Sequence, residues 1–325
     1  MKYLLLILQL SLFATDFDCI VIGSSPFSLF EALYQSHSGK KVLILEEAAV
    51  CGGAWQSIHV CGIPHVDLGC HYIGSDMQLK AFLETYAGCK IVSMDHPMAP
   101  FDESEPNGWY FSGGCFELID HLLQLIHTTD IVLYTNCKAE VVSIGSVVIV
   151  QTQHRSFSGK KLIVTPMSCI QWEQSPKEFK KSKFYHVYLL IQDPTPFRFT
   201  YREGSIHGVS RIMNQTPFLG LAGTGSQLIS IQTYKEPVEA RIYLDALKGQ
   251  NLLSPEAYLL KAESHVYETG VLNHSEDREI IEVLQTGQFT DLSAYIPKWE
   301  LALDKTRSFV VLFSFLVRYC MPIPA

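Results

Sequence analysis

The chain has no block of basic residues, and its charge balance is acidic, with a net −8 over 325 residues. A nucleic-acid-binding surface needs clustered Lys and Arg against phosphate, so no nucleic-acid partner is expected. No Cys-x-x-Cys occurs, and the nine cysteines are odd in number, several of them inside apolar runs. That argues against a disulfide framework and for reduced thiols acting as small hydrophobes. Cys61, His65, Cys70 and His71 lie near one another but follow no common zinc spacing, so no metal is expected. Repeats at solenoid or propeller periods are missing, as are low-complexity stretches and any Ser/His/Asp or Cys/His nucleophile pattern. What is there is a globular composition, 47% hydrophobic and 18% charged, in a chain long enough for two domains.

Met1 to Ala14 holds one lysine, an apolar stretch and a small residue at its end, as a short secretory signal does. The stretch is too short for a standard spanning helix. It also reads as a membrane-leaning segment, because the first strand starts near Phe17. The location stands open among cytoplasmic, membrane-associated and, with residues 1–14 acting as a signal peptide, secreted.

Asp18-Cys-Ile-Val-Ile-Gly23 is an apolar run ending in glycine, and Lys41-Val-Leu-Ile-Leu-Glu46 is a second, ending in acid. Between them, Pro26 to His37 sets Phe27, Phe30, Leu33 and Tyr34 on one helical face. Pro26 suits a first turn and Gly39 a stop. Strand, tight turn, helix, strand and terminal acid make the βαβ unit that binds a dinucleotide. A helix N-terminus offers unpaired N–H groups and a positive dipole end to pyrophosphate. Gly23, Ser24 and Ser25 form the turn, and Glu46 is placed to accept from ribose hydroxyls. Glu46 stands 23 positions after Gly23, against roughly 20 in the motif. Gly52 and Gly53 follow, a glycine pair that lets a phosphate approach.

The glycine set is incomplete. Gly-x-Gly-x-x-Gly would place glycine at 25 and 28, and both are serine. A Cβ at Ser25 is expected to crowd the pyrophosphate, and a side chain at Ser28 to push the helix from the strand. The unit then binds its dinucleotide weakly, or binds none.

Further along, Met77 to Tyr86 and Phe116 to His127 read as helices, and Ile58 to Leu68 as two short strands. Pro97 to Asn107, with its prolines and acids, reads as loop. The period then falls to two over Ile131–Tyr134, Ala139–Ile144, Ser146–Gln151 and Lys161–Thr165, four short strands. Tyr185–Gln192, Phe197–Tyr201, Ser210–Met213 and Leu228–Gln232 continue as strand among loops. Pro255 to Thr269 and Pro297 to Val317 read as helix, and Glu279 to Leu284 as strand or helical turn.

In this order the fragments resemble the amine-oxidase-like superfamily of FAD enzymes, which includes protoporphyrinogen oxidases, phytoene desaturases and UDP-galactopyranose mutases. The βαβ unit, Gly52-Gly53 and Val66-Asp-Leu-Gly-Cys-His-Tyr-Ile73 carry the resemblance. So do Gly113-Gly114 with its helix, and Asn136 to Val142 with the strands ending at Pro166. Ser210-Arg-Ile-Met-Asn214 is similar to a segment of the mutase branch. The resemblance implies an α/β fold, a Rossmann-type FAD-binding domain with an interleaved α+β substrate domain. The first would combine residues 15–75, 110–170 and 265–325, and the second 76–109 and 171–264. It implies FAD as cofactor, a small-molecule substrate, and adenine contact at the backbone of Val141. The family's arginines beside the second glycine pair are Val50 and Ala54 here. Its C-terminal Gly-Asp motif has only the loosely similar Thr286 to Tyr295.

For chemistry, His71 is the candidate beside the flavin, with a packed structural histidine as the alternative. Arg211 and Arg202 are candidates to clamp an anionic substrate, because guanidinium is a rigid bidentate donor. Trp55, Trp109 and Tyr110 line a pocket or fill the core. Three functions fit: an FAD-dependent oxidoreductase, a sugar-mutase-like flavoenzyme, and a non-catalytic protein that kept the fold and lost the cofactor.

Overall fold

The computed structural model describes residues 17–71, 77–93, 109–143, 147–164, 181–195, 201–203, 208–221 and 223–270. The expectations for residues 1–14, 97–107, 279–284, 286–295 and 297–317 lie outside them. In chain order the elements begin β1 (Cys19–Ile22), α1 (Pro26–His37), β2 (Val42–Leu45), β3 (Ser57–Val60), β4 (Ile63–Asp67) and α2 (Met77–Tyr86). Then come β5 (Ile91–Ser93), β6 (Trp109–Phe111), α3 (Gly114–His127), β7 (Val132–Tyr134), β8 (Ala139–Ser143), β9 (Val148–Thr152), β10 (Ser156–Gly159) and β11 (Leu162–Val164). The last are β12 (Lys181–Gln192), β13 (Tyr201–Glu203), β14 (Val209–Asn214), β15 (Ser226–Thr233), α4 (Ala240–Gly249) and β16 (Tyr258–Gly270).

The chain divides into two compact units, each discontinuous in sequence: residues 1–53, 122–181 and 270–325, and residues 54–121 and 182–269. The first is built on a parallel sheet of order β11-β1-β2-β7. Every residue of β1 and β2 is buried, which explains why these runs are apolar throughout rather than alternating. Ile20, Ile22, Leu43, Leu45 and Leu162 pack against Val148, Val150 and Phe157 of the antiparallel sheet β8–β9–β10. α1 packs on β1 and β2 and buries Leu29, Phe30, Ala32 and Leu33.

The second unit holds an antiparallel sheet of order β13-β14-β15-β12-β16, with the hairpins β3–β4 and β5–β6. One face of the sheet is apolar. Val187, Leu189, Ile191, Ile212, Ile229 and Ile231 meet Tyr243, Leu244 and Leu247 of α4. The intervening residues make the other face mixed, since side chains alternate along a strand: Tyr188 and Leu228 pack with Val60 and Val66, while His186, Arg211, Ser230 and Gln232 form its polar part.

One expectation is corrected here. The stretch 255–269, expected as helix, is strand from Tyr258, paired into the sheet beside β12. Its Leu, Lys, Ala and Glu favour helix locally, and tertiary pairing overrides that preference. The helix lies earlier instead, at Ala240–Gly249, where Tyr243, Leu244 and Leu247 form the buried stripe. The two compact units meet in sequence at Gly53. Residues 67–69 are tied to the second sheet, because Tyr188 Oη donates to the Asp67 carbonyl at 2.9 Å and accepts from Gly69 N–H at 3.1 Å.

Candidate functional site

The dinucleotide end lies where the parallel strands of the first unit stop. Gly23 ends β1 with φ +95°, a left-handed turn that glycine takes without strain. Its N–H donates to Leu45 carbonyl at 2.8 Å. Glu46 ends β2 and is 9% exposed. One carboxylate oxygen accepts from Ser24 Oγ at 2.5 Å and the other from Ala48 N–H at 2.7 Å. Ser24 is buried, and its Oγ also accepts from Gly52 N–H at 3.2 Å. Ser24, Glu46 and Gly52 are thereby joined in one hydrogen-bonded chain beside the Gly23 turn.

Ser25 behaves otherwise than expected. Its φ of −57° and ψ of 158° are open to any residue, so the turn needs no second glycine for its backbone. It is the N-cap of α1, and its Oγ accepts from Ser28 N–H at 3.3 Å. Ser28 is fully buried with its Oγ 3.1 Å from Ser25 Oγ, and α1 still packs on β1 and β2. The serines therefore form a cap; Ser28 does not push the helix away. Their effect falls on donors. Pro26 has no N–H, and Ser28 N–H is taken by Ser25, so two of the donors a helix N-terminus would offer are withdrawn. Gly53 follows: a Cβ on it would stand 3.8 Å from Ser25 Cβ.

Val141 lies on β8, its backbone opposite Val150. The strand is led to Glu46 by two bonds, Asn136 N–H to Ala48 carbonyl at 3.0 Å and Cys137 N–H to Glu46 carbonyl at 2.8 Å. These residues fit a dinucleotide. A carboxylate has about four lone-pair directions, and Glu46 uses two within the chain, which leaves acceptors for ribose hydroxyls.

The second unit carries the other candidates. His71 stacks on Trp55, ring centroids 4.7 Å apart and 19° from parallel. His71 Nε2 lies 3.0 Å from both Ala54 and Leu68 carbonyls, so it bears the hydrogen and donates to them. Burial, reinforced by the Arg211 charge, pulls its pKa down to about 4. His71 is thus a neutral imidazole presenting only Nδ1. Arg211 stands opposite Gln232 across β14–β15, and Gln232 opposite His186 across β15–β12, one row on the polar face. Arg202 pairs with Ile212, one step along.

His186 is a residue that sequence reasoning missed. It is 5% exposed, and its Nδ1 has no hydrogen-bond partner among the described residues. Burial and the neighbouring His71, His265 and Arg211 lower its pKa to about 3. Its ring lies over Gly69, where a Cβ would stand 2.9 Å from His186 Cε1. Glycine at 69 is therefore a matter of space, and a lone histidine in the period-two run Tyr185–Gln192 was the available signal.

Asp67, within the Val66–Ile73 segment, carries no local signal in the sequence. It is 1% exposed and accepts from Tyr110 Oη at 2.5 Å, Cys115 N–H at 2.8 Å and Ser57 Oγ at 3.4 Å. Burial raises its pKa to about 6. Tyr110 and Trp55, at 0% and 4% exposure, fill the core, and Trp109 lies on β6 with Lys80 over its ring. At the start of α3, Asp67 takes Cys115 N–H and Glu117 takes Gly113 N–H at 2.7 Å, so the chain's own carboxylates occupy these two donors. Among the described residues no three His, Cys, Asp or Glu side chains gather to hold a metal ion, and no helix is long and apolar enough to cross a membrane. The seven described cysteines are free thiols.

Residues 21–86 match the family of NAD(P)-binding Rossmann-like domains. The chain carries a Rossmann-like fold over this stretch. An oxidoreductase from Methanosarcina mazei superposes with a TM-score of 0.59 at 12% identity, over 77% of this chain and 88% of that one. Reduced UDP-galactopyranose mutase gives 0.60 at 12%, over 82% and 85%. Putrescine oxidase bound to putrescine gives 0.57 at 10%, over 77% and 84%. The chain shares the α/β fold of these structures, and the Rossmann-like domain within it is the part that the sequence match reaches. No curated protein matches the chain.

Proposed function

We propose that this chain is an FAD-dependent oxidoreductase of the amine-oxidase-like group acting on a small molecule. The observation that carries the reading is Glu46 at the end of β2, held by Ser24 and Ala48 beside the Gly23 turn. Glu46 accepts from the adenosine ribose and repels a 2′-phosphate, which favours FAD over a phosphorylated dinucleotide. The dipole of α1 faces the pyrophosphate. Gly52 and Gly53 leave it room, and the backbone of Val141 meets the adenine. Two-electron redox chemistry belongs to the bound flavin. Arg211 holds an anionic part of the substrate as a guanidinium donor. His71, with Nε2 committed to two carbonyls, offers Nδ1 as a hydrogen-bond acceptor and fixes the loop at Gly69.

The test is direct. Protein purified after expression, or refilled with FAD, is expected to show flavin absorbance and a thermal shift with added FAD. A colourless preparation with no shift at excess FAD overturns the reading. Substrate that bleaches the flavin bands under anaerobic conditions separates a redox enzyme from a mutase.

One observation favours a second reading, a protein that keeps the fold without the cofactor. Ser25 and Pro26 between them remove two of the first-turn donors of α1, and Glu46 is already paired within the chain. The same absorbance measurement decides between the two.

A further inference from the structure

β16 is thirteen residues long. It lies at the edge of its sheet, paired with β12 on one side and, among the described residues, with no strand on the other. A long edge of unpaired N–H and C=O groups is a template for another strand, and soluble proteins cover it or blunt it. This edge carries no proline. Tyr258, Leu260 and Val266 are 57%, 47% and 59% exposed, and alternation places all three on one face.

The strand is self-complementary about Ala262. Turned on itself antiparallel about that residue, it sets Tyr258 opposite Val266, Leu260 opposite Ser264 and Lys261 opposite Glu263, each pair occurring twice. Aromatic against β-branched and cation against anion are the favourable cross-strand pairs. Within one strand Lys261 Nζ and Glu263 Oε1 are 2.6 Å apart, so the four charges of two strands alternate in sign. The neighbouring registers fail: centred on Lys261 or on Glu263, the pairing puts like charges face to face.

We propose that two copies of this chain form a two-fold dimer by antiparallel pairing of β16 with β16 across Ala262. Each five-stranded sheet then continues into that of the partner.

Sedimentation equilibrium on the full chain tests this. The expected mass is twice 36.6 kDa at micromolar concentration. Lys261→Glu and Glu263→Lys are each expected to raise the dimer Kd about tenfold, and the double exchange Lys261→Glu/Glu263→Lys to restore it. Ala262→Cys is expected to cross-link under mild oxidation where the unaltered chain does not, because Cα atoms of directly opposed residues lie within disulfide reach. A monomer at all concentrations overturns the proposal, the edge then being covered in some other way. A dimer indifferent to both charge reversals also overturns it, since another surface would hold the copies together.

Discussion

Replacing Asp67 with alanine is expected to lower the stability of the fold by about 2–4 kcal/mol. The carboxylate receives Tyr110 Oη and Cys115 N–H at a place with 1% exposure. Alanine leaves both donors buried and unpaired, which is the costly half of a lost hydrogen bond. Asparagine separates geometry from charge, because its carbonyl oxygen still accepts from Cys115. The pKa of Asp67 is raised by burial from 3.8 to about 6. A group raised in this way contributes stability that is complete below the unfolded pKa and is lost as pH rises through the folded one. About two pKa units correspond to a loss on the order of 3 kcal/mol between pH 4 and 7. His71 and His186 act in the opposite direction. Their pKa values are lowered to about 4 and about 3, so their contribution is present above the unfolded pKa and falls away as pH drops. The difference between unaltered protein and Asp67→Asn removes both histidines from the comparison. Urea melts from pH 4 to 8 are expected to show Asp67→Asn gaining on the unaltered chain as pH rises. Parallel curves for the two would show that Asp67 does not titrate in this range.

That Asp67 went unassigned from sequence has a physical reason. Its partners Tyr110, Cys115 and Gln215 stand 43, 48 and 148 residues away, and no local pattern announces contacts of that span. The row from Arg211 to His186 depends likewise on the register of two strand pairs, and each passes through Gln232. The first βαβ unit was legible because its signals are local. Two fully apolar runs, a proline at a first turn and an acid at a strand end lie within thirty residues. β16 was illegible for the converse reason. Its composition is that of a helix, and only its pairing in the sheet decides otherwise. The serines at 25 and 28 lie between these cases. Their positions showed that the glycine set was broken, but only the backbone angles showed that Ser25 is a cap.

The remaining large effect concerns Glu46. Glu46→Ala is expected to weaken FAD binding roughly a hundredfold or more, from the loss of two charge-assisted bonds to ribose hydroxyls. Glu47→Ala is the matched control. Glu47 is exposed, 3.9 Å from an equally exposed Lys138, and its removal is expected to leave FAD retention unchanged. Equal effects of the two changes, read by flavin fluorescence on release, would undo the assignment. Ser25→Gly then tests the other end of the cofactor. Glycine is tolerated at an N-cap at a cost of only a few tenths of a kcal/mol, and the change frees Ser28 N–H for the pyrophosphate. A hydrogen bond to a charged group contributes about 1.5–3 kcal/mol, so FAD affinity is expected to rise at least tenfold. Unaltered affinity in a chain that binds FAD well would mean that the Ser25 cap and the pyrophosphate do not compete for that donor. If neither the unaltered chain nor Ser25→Gly binds FAD, the paired state of Glu46 is its final one. Ser24, Glu46 and Gly52 then serve to close the end of the sheet, and the fold has outlived its cofactor.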